Sequence, residues 1–278
     1  MTTLEFTLVV FLISAVAGFL GALTGLGGGV VVTPALTLLL GVDLRYAIGA
    51  SLVSVIATSS GAAAAYVREG YSNFRIGMFL EVATTPGALL GAFLATRTPT
   101  SALAVIFGLM LLQAAWQSSR QDPDEAANAA PDILATRLKF DSSYPTSGGQ
   151  RPYHVGRVKT GFGLMFGAGA ISGLLGIGSG ALKVIAMDQA MRIPFKVSTT
   201  TSNFMIGVTA AASAGVYLSR GYIEPGLTMP VMLGVLSGSI LGARLLIVAR
   251  TRVLRWIFGV VVGLMALEMI FSGIRGRI

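Results

Sequence analysis

Cysteine is absent from the chain, and histidine occurs once, at His154. The first absence excludes disulfides, thiolate metal sites and thiol catalysis. The second leaves no zinc-spaced histidine pair and no Ser/His/acid constellation, because His154 sits in the polar linker. A phosphate-binding Gly-Lys-Ser/Thr loop is also missing, so direct ATP coupling has no support. No enzyme and no cofactor or metal is expected. Charge is scarce as well: 12% of residues are charged, against roughly 25% in a soluble domain.

What is present is apolar. Of the 278 residues, 54% are hydrophobic, collected in runs near the roughly 20 residues that cross a bilayer. The first half carries five such segments, Phe6–Leu23, Val30–Leu40, Tyr46–Tyr66, Ile76–Ala95 and Ser101–Trp116. Five more follow: Thr160–Leu175, Ala181–Met191, Val197–Leu218, Leu227–Val248 and Val253–Phe271. The expectation is an all-α polytopic membrane protein with a first repeat over 4–117, a polar linker over 118–158 and a second repeat over 159–273. With several prolines and mixed charge, the linker reads as a partly disordered loop. No basic start followed by a small-residue cleavage site precedes the first apolar run, which is expected to be retained.

A shift of 151 positions aligns the halves without a gap, pairing Gly25, Gly27 and Gly29 with Gly176, Gly178 and Gly180. It also pairs Ser51 with Ser202, Tyr66 with Tyr217, Gly70-Tyr71 with Gly221-Tyr222, Gly87 with Gly238, Gly91 with Gly242, and Phe107-Gly108 with Phe258-Gly259. Parity decides the symmetry. If all five segments cross, or if the first two make a re-entrant hairpin, the repeats are inverted; if only the second re-enters, they are parallel. Basic residues in loops favour the cytoplasm. The odd model puts 13 Lys and Arg on the linker side and 5 on the other, and in each matched loop pair the linker-side member is the more basic. Inverted repeats with a cytoplasmic linker are therefore expected, in the cytoplasmic (inner) membrane. The net charge of +8 is read as topology and anionic-lipid contact rather than nucleic-acid binding.

The repeated stretch is glycine-rich: Gly25-Leu26-Gly27-Gly28-Gly29, then Gly176-Ile177-Gly178-Ser179-Gly180. Glycines between apolar segments free backbone groups that lipid cannot satisfy, so such backbone must line a polar cavity or lie inside protein. Matched interruptions in two halves point to a transporter's binding site near the midplane; close helix packing is the competing explanation. Gly27, Gly28, Gly29, Gly178, Ser179 and Gly180 are thus candidate substrate contacts through backbone N–H groups. Lys183, one turn beyond the second motif, would neutralise an anion there; snorkelling to headgroups is the alternative. Ser51, Thr200, Thr201, Ser202 and Asn203 would hydrogen-bond its oxygens, or else bridge helices. Glu81, near Thr84, Thr85 and Pro86, is a candidate for a proton or cation relay in coupled transport, with pairing to an arginine such as Arg244 or a place near the interface as the alternatives. Arg244 itself is read as a topology anchor, with an anion contact as the alternative. Trp116 and Trp256 fit interface anchoring, and Glu268 an interfacial position.

At these residues the chain resembles the TauE/SafE family of sulfite exporter-like permeases. The resemblance rests on Gly25–Gly29 followed by Val30-Val31-Val32-Thr33-Pro34, on the second copy at Gly176–Gly180, and on the two-fold repeat. The second copy departs from the first in having Ser179 for Gly28 and Lys183 for Val32. The resemblance implies transport of small sulfur-containing anions, such as sulfite, sulfoacetate or related organosulfonates, with export the commoner direction and proton coupling compatible with it. A passive anion channel would instead show no accumulation against a gradient. A non-transporting scaffold or assembly subunit would tolerate Lys183→Ala but not loss of packing glycines. The expected partners are a small anion and the bilayer, and a homodimer is compatible with the chain.

Overall fold

The computed structural model describes residues 2–24, 28–69, 72–119, 132–146, 149–246 and 251–278. The first half comprises α1 (Thr3–Thr24), α2 (Gly29–Leu40), α3 (Leu44–Glu69), α4 (Phe74–Ala95) and α5 (Thr100–Ser119). The second comprises α7 (Val158–Leu175), α8 (Gly180–Ile185), α9 (Phe195–Ser219), α10 (Pro225–Leu246) and α11 (Thr251–Ile274), with α8 running into a π-helical segment, Ala186–Ala190. Between the halves lie α6 (Ile133–Arg137) and a hairpin of β1 (Ser142–Thr146) and β2 (Gly149–Tyr153). The protein is an all-α polytopic membrane protein. Among the described residues, four stretches are both long and apolar enough to cross a membrane by themselves: Thr3–Gly21, Phe74–Ala95, Val158–Leu175 and Pro225–Gly242. Leu8, Leu12 and Val16 on α1, like Leu264 and Leu267 on α11, lie exposed, as side chains that face lipid do.

α2 has 12 residues, about 18 Å of helix, well short of the ~30 Å hydrocarbon core. It stops at Gly41, whose φ of 64° lets its N–H return to the Leu36 carbonyl, a left-handed ending that a Cβ would strain. α7 stops the same way at Gly176, φ 67°, on the Ser172 carbonyl.

Helix pairing is reciprocal between the halves: α1 packs on α10, α4 on α7, α3 on α9 and α5 on α11. Small residues set the approach. A Cβ at Gly87 would fall 2.2 Å from the Phe166 carbonyl oxygen, and one at Gly238 would fall 1.9 Å from that of Ala15. These two contacts are the same contact displaced by the 151-residue shift. Gly169 against Thr84 and Gly18 against Val235 form a second such pair. Direction can be read from the same approaches. Gly87 and Gly91 meet Phe166 and Ala170, so α4 and α7 run the same way; Gly234 and Gly238 meet Phe11 and Ala15, so α1 and α10 do too. In contrast, Gly108 meets Ala266 and Gly273 meets Ser101, so α5 and α11 run oppositely. α3 and α9 also run oppositely, with Gly49 against Tyr222 just beyond α9 and Gly207 against Ser59.

The linker differs from the partly disordered loop expected of it. From Asp132 onward it is folded and docked. Phe140, Tyr144, Tyr153 and Val155 are buried in one cluster with Ile76 and Leu80 of α4, Met165 of α7, and Met187 and Met191. Asn73 ties it down, its Nδ2 donating to the Phe140 carbonyl (3.1 Å) and to the Tyr153 hydroxyl (2.8 Å), while its Oδ1 caps α4 at Ile76 N. Composition reads as a loop here because the apolar contacts are few and scattered. Their partners lie on helices distant in sequence, which periodicity cannot reveal. Residues 120–131 lie outside the described residues.

Candidate functional site

The two glycine motifs come together at the centre, between α3 and α9. Gly29 approaches the Gly176 carbonyl, and a Cβ on it would fall 2.7 Å from Ser51 Oγ and 2.6 Å from Val55. Gly178 and Gly180 lie against Ile206, each with a Cβ position 2.6 Å from that side chain. Gly178 has φ 71° and Ser179 φ 41°. A non-glycine residue in that region is strained, and Ser179 is held there by its hydroxyl donating to the Ala168 carbonyl at 2.7 Å. Gly28 precedes α2, and its carbonyl accepts from Val31 N and Val32 N at 3.1 and 3.0 Å. The Gly29 and Val30 N–H groups precede that first rung of the helix ladder. Gly27 lies outside the described residues, as do Gly25 and Leu26.

Ser51 binds the motifs to each other. Its hydroxyl lies 3.1 Å from the Gly176 carbonyl and 3.3 Å from that of Gly29. Its repeat mate Ser202 donates to the Gly180 carbonyl at 3.2 Å. The neighbouring hydroxyls are also engaged locally. Thr200 donates within its own helix to Lys196, and Thr201 Oγ1 accepts from Asn73 N at 3.0 Å. Such bonds to the preceding turn are ordinary for Ser and Thr in apolar helices. Asn203 is half-buried. Beside the motifs, an apolar cavity of about 20 Å³ is lined by Val30, Leu111, Ala114, Ile177, Ser179 and Gly180, room for one water and too small for a sulfur oxyanion.

The charged residues meet one turn deeper. Lys183 is wholly buried and does not snorkel. Its ammonium lies 3.4 Å from Glu81 Oε1 and donates to the Thr209 hydroxyl. Thr209 Oγ1 in turn lies 2.9 and 3.3 Å from the two carboxylate oxygens and 2.9 Å from the Met205 carbonyl, with one proton to share among them. Thr85 donates to Glu81 Oε2 at 2.9 Å. Glu81 therefore pairs with Lys183; the side chains of Arg244 and Trp256 lie outside the described residues. Taking both charges out of water costs several kcal/mol each, offset only by close pairing and further hydrogen bonds. α8 brings the lysine, α4 the carboxylate and Thr85, and α9 the bridging hydroxyl. Glu268 is exposed near the end of α11 with Ser272 as its partner at 3.3 Å, and Trp116 is exposed near the end of α5.

Two features escaped the sequence reading. Thr209 lies two turns beyond Ser202 on the buried face of α9 that continues to Ser213, a helical spacing that could have linked it to the site. The π-helical segment after Lys183, where Met191 N returns to the Ala186 carbonyl, carries no such signal; π segments recur at functional positions. No group of three or more potential metal ligands occurs among the described residues.

The model of the family described as "Sulfite exporter TauE/SafE" matches residues 10–269. Among curated proteins, the chain is similar to a probable membrane transporter protein, YunE, of Bacillus subtilis, with 25% identity covering 96% of this chain and 98% of the relative. It is also similar to the probable membrane transporter protein YdhB of the same organism, at 27% identity over 85% and 87%. A probable membrane transporter protein of Xylella fastidiosa is 25% identical over 91% of each chain. No solved structure matches the chain. With its apolar helices, its matched half-length elements and this family match over nearly its whole length, the chain belongs to the sulfite exporter TauE/SafE family and is a multi-pass membrane transporter.

Proposed function

We propose that the protein is a secondary transporter that exports small sulfur-containing anions, such as sulfite, sulfoacetate or related organosulfonates, across the cytoplasmic membrane by alternating access. The observation that carries this reading is Lys183, a fully buried cation one turn behind the glycine motif that the other half's motif also meets. An intramembrane charge held away from both surfaces is expensive, and function is the usual reason for it. Around it stand the chain breaks at Gly28–Gly29 and Gly178–Gly180, with Ser51, Ser179 and Thr200–Asn203 close by. The hydroxyls of Ser51 and Ser202 donate to backbone carbonyls here, and the adjacent cavity is too small for the substrate. Loading would exchange those internal bonds for bonds to the anion.

Alternating access is supported by the pairing of the helices. Repeat mates α3 and α9 run oppositely, as do α5 and α11, which is the relation that inverted repeats have and parallel repeats lack. One repeat rocking against the other would expose a central site to each side in turn. The test is uptake of labelled sulfite, sulfoacetate and thiosulfate into proteoliposomes with and without a pH gradient. Saturable uptake by the wild type that Lys183→Ala abolishes is the expected result. Saturable uptake unchanged by the substitution would move the site elsewhere, and a non-saturating, voltage-following flux would replace the transporter with a channel.

A further inference from the structure

The Glu81 carboxylate is supplied with donors as a bound anion would be. Oε1 receives the Lys183 ammonium at 3.4 Å and faces the Thr209 hydroxyl at 2.9 Å, and Oε2 receives the Thr85 hydroxyl at 2.9 Å. Lys183 and Thr209 are wholly buried, and Glu81 is 6% exposed. A carboxylate presents two oxygens on one centre, as a sulfonate or sulfite can with two of its three, and charge-assisted bonds of this kind do not distinguish the central atom. α4 also has the means to move its carboxylate. Pro86 stands inside the helix five residues on, where it removes one rung of the backbone ladder and weakens the turn that carries Glu81.

We propose that Glu81 is a resident surrogate for the transported anion: its carboxylate fills an oxyanion subsite made by Lys183, Thr209 and Thr85, and protonation of Glu81 yields that subsite to the substrate's oxygens. The inference rests on Lys183 being the anion contact, as above. It adds two hydroxyl ligands and fixes the coupling. The pair of Lys183 and Glu81 is neutral. A monoanion arriving alone would leave a net negative charge in the membrane interior, whereas a monoanion arriving with one proton restores neutrality. One proton is then taken up per anion bound, so the two cross together without net charge, and export runs on the anion's own outward gradient.

Other titratable groups on elements packed against α4 stand apart from Glu81. Arg75, Lys159 and Lys196 are exposed at the end covered by the linker, to which the linker brings Asp132, Lys139, Asp141, Tyr153 and His154. Asp188, on the π-helical segment, is half-buried. Among the described residues, the hydrogen bonds of the Glu81 carboxylate run to Lys183, Thr209 and Thr85.

The test is titration of methanesulfonate, a monoanion throughout the range, with sulfite and sulfoacetate alongside, into the full-length protein in detergent from about pH 6 to about pH 8, with Glu81→Gln as the control for protons taken up elsewhere. Wild-type affinity should rise up to about tenfold per unit fall in pH, with uptake of about one proton per anion in weakly buffered solution. Glu81→Gln should bind at least as tightly as the wild type at the acid end, without pH dependence and without proton uptake. Thr209→Val should weaken binding by about tenfold. A flat wild-type profile without proton uptake, or a folded Glu81→Gln protein that binds more weakly than wild type throughout, overturns the surrogate role and leaves the transporter reading standing. Failure of the wild type to bind sulfoacetate or sulfite at any pH overturns the substrate reading, and this inference with it. Proton uptake by the wild type needs no variant, so misfolding of a mutant does not shelter the proposal.

Discussion

The two halves share a scaffold and differ in charge. In the second half Lys183 meets Glu81 of α4 and Thr209 of α9. The 151-residue shift carries these three positions to Val32, Met232 and Thr58. Val32 is wholly buried like its mate, but it brings no charge, and Met232 has none to answer it. Thr58 keeps the hydroxyl and spends it on the Ser54 carbonyl at 3.1 Å. The backbone contacts behave in the opposite way: Gly87 on Phe166 reappears as Gly238 on Ala15, and Ser202 on Gly180 as Ser51 on Gly29. Packing is therefore duplicated and chemistry is not. On the function proposed above, the symmetric frame would rock between two faces while the single ion pair would give the substrate one place to bind.

The sharpest way to break the comparison is to make the halves alike. Lys183→Ala alone should abolish uptake and destabilise the protein by about 3–5 kcal/mol, because it strands Glu81 in the interior. Adding Glu81→Met to Lys183→Val, which copies the first half, should restore the melting temperature in detergent to wild type or above while uptake stays absent. A double variant as unstable as the single one would show that the pair is structural. Next in size, Gly87→Ala and Gly238→Ala should each cost about 1–3 kcal/mol by overpacking, and by similar amounts if the duplicated contacts are energetically equivalent. Unequal losses in thermal unfolding would locate where the symmetry ends.

A smaller contrast separates the threonines. Thr209→Val removes a hydroxyl shared by two charges and should cost about 1–3 kcal/mol, with uptake impaired. Thr58→Val removes a bond within its own helix and should leave uptake within about twofold of wild type. Smallest is the linker, which has no counterpart between the repeats. Asp132 accepts N–H bonds from Val158 and Leu134, which hold its carboxyl below the ordinary value. Its contribution is then complete above the unfolded carboxyl value, near pH 4, and fades as pH falls through the lower folded one. Limited proteolysis of the linker should accelerate only below about pH 4 in the wild type, and Asp132→Asn should already be faster at neutral pH.

Much of the architecture is legible in the chain. Apolar runs mark the helices within a few residues, and the half-length of α2 shows directly in Val30–Leu40. The 151-residue register names the glycines that later prove to be in contact. Lys183 and Glu81 are both legible as oddities, since a charge in an apolar run stands out by composition alone. Their pairing is not. Nothing local to Glu81 points to Lys183, because the contact depends on how α4 and α8 are packed. Similarly, Ser51 and Thr200–Asn203 look like ligands in waiting, and only the fold shows that several of their hydroxyls serve backbone carbonyls in this state.

Sequence by itself determined the membrane class, the repeat and the presence of two charges within apolar runs, because hydropathy and identity at a fixed offset are properties of the string. The tertiary structure alone decided that the glycine motifs touch, that α3 and α9 run oppositely, that the linker docks through Asn73 and Tyr153, and that Thr209 bridges the ion pair. Each of these joins residues from different helices, and a contact across helices is set by packing and direction, which no local pattern along one segment encodes.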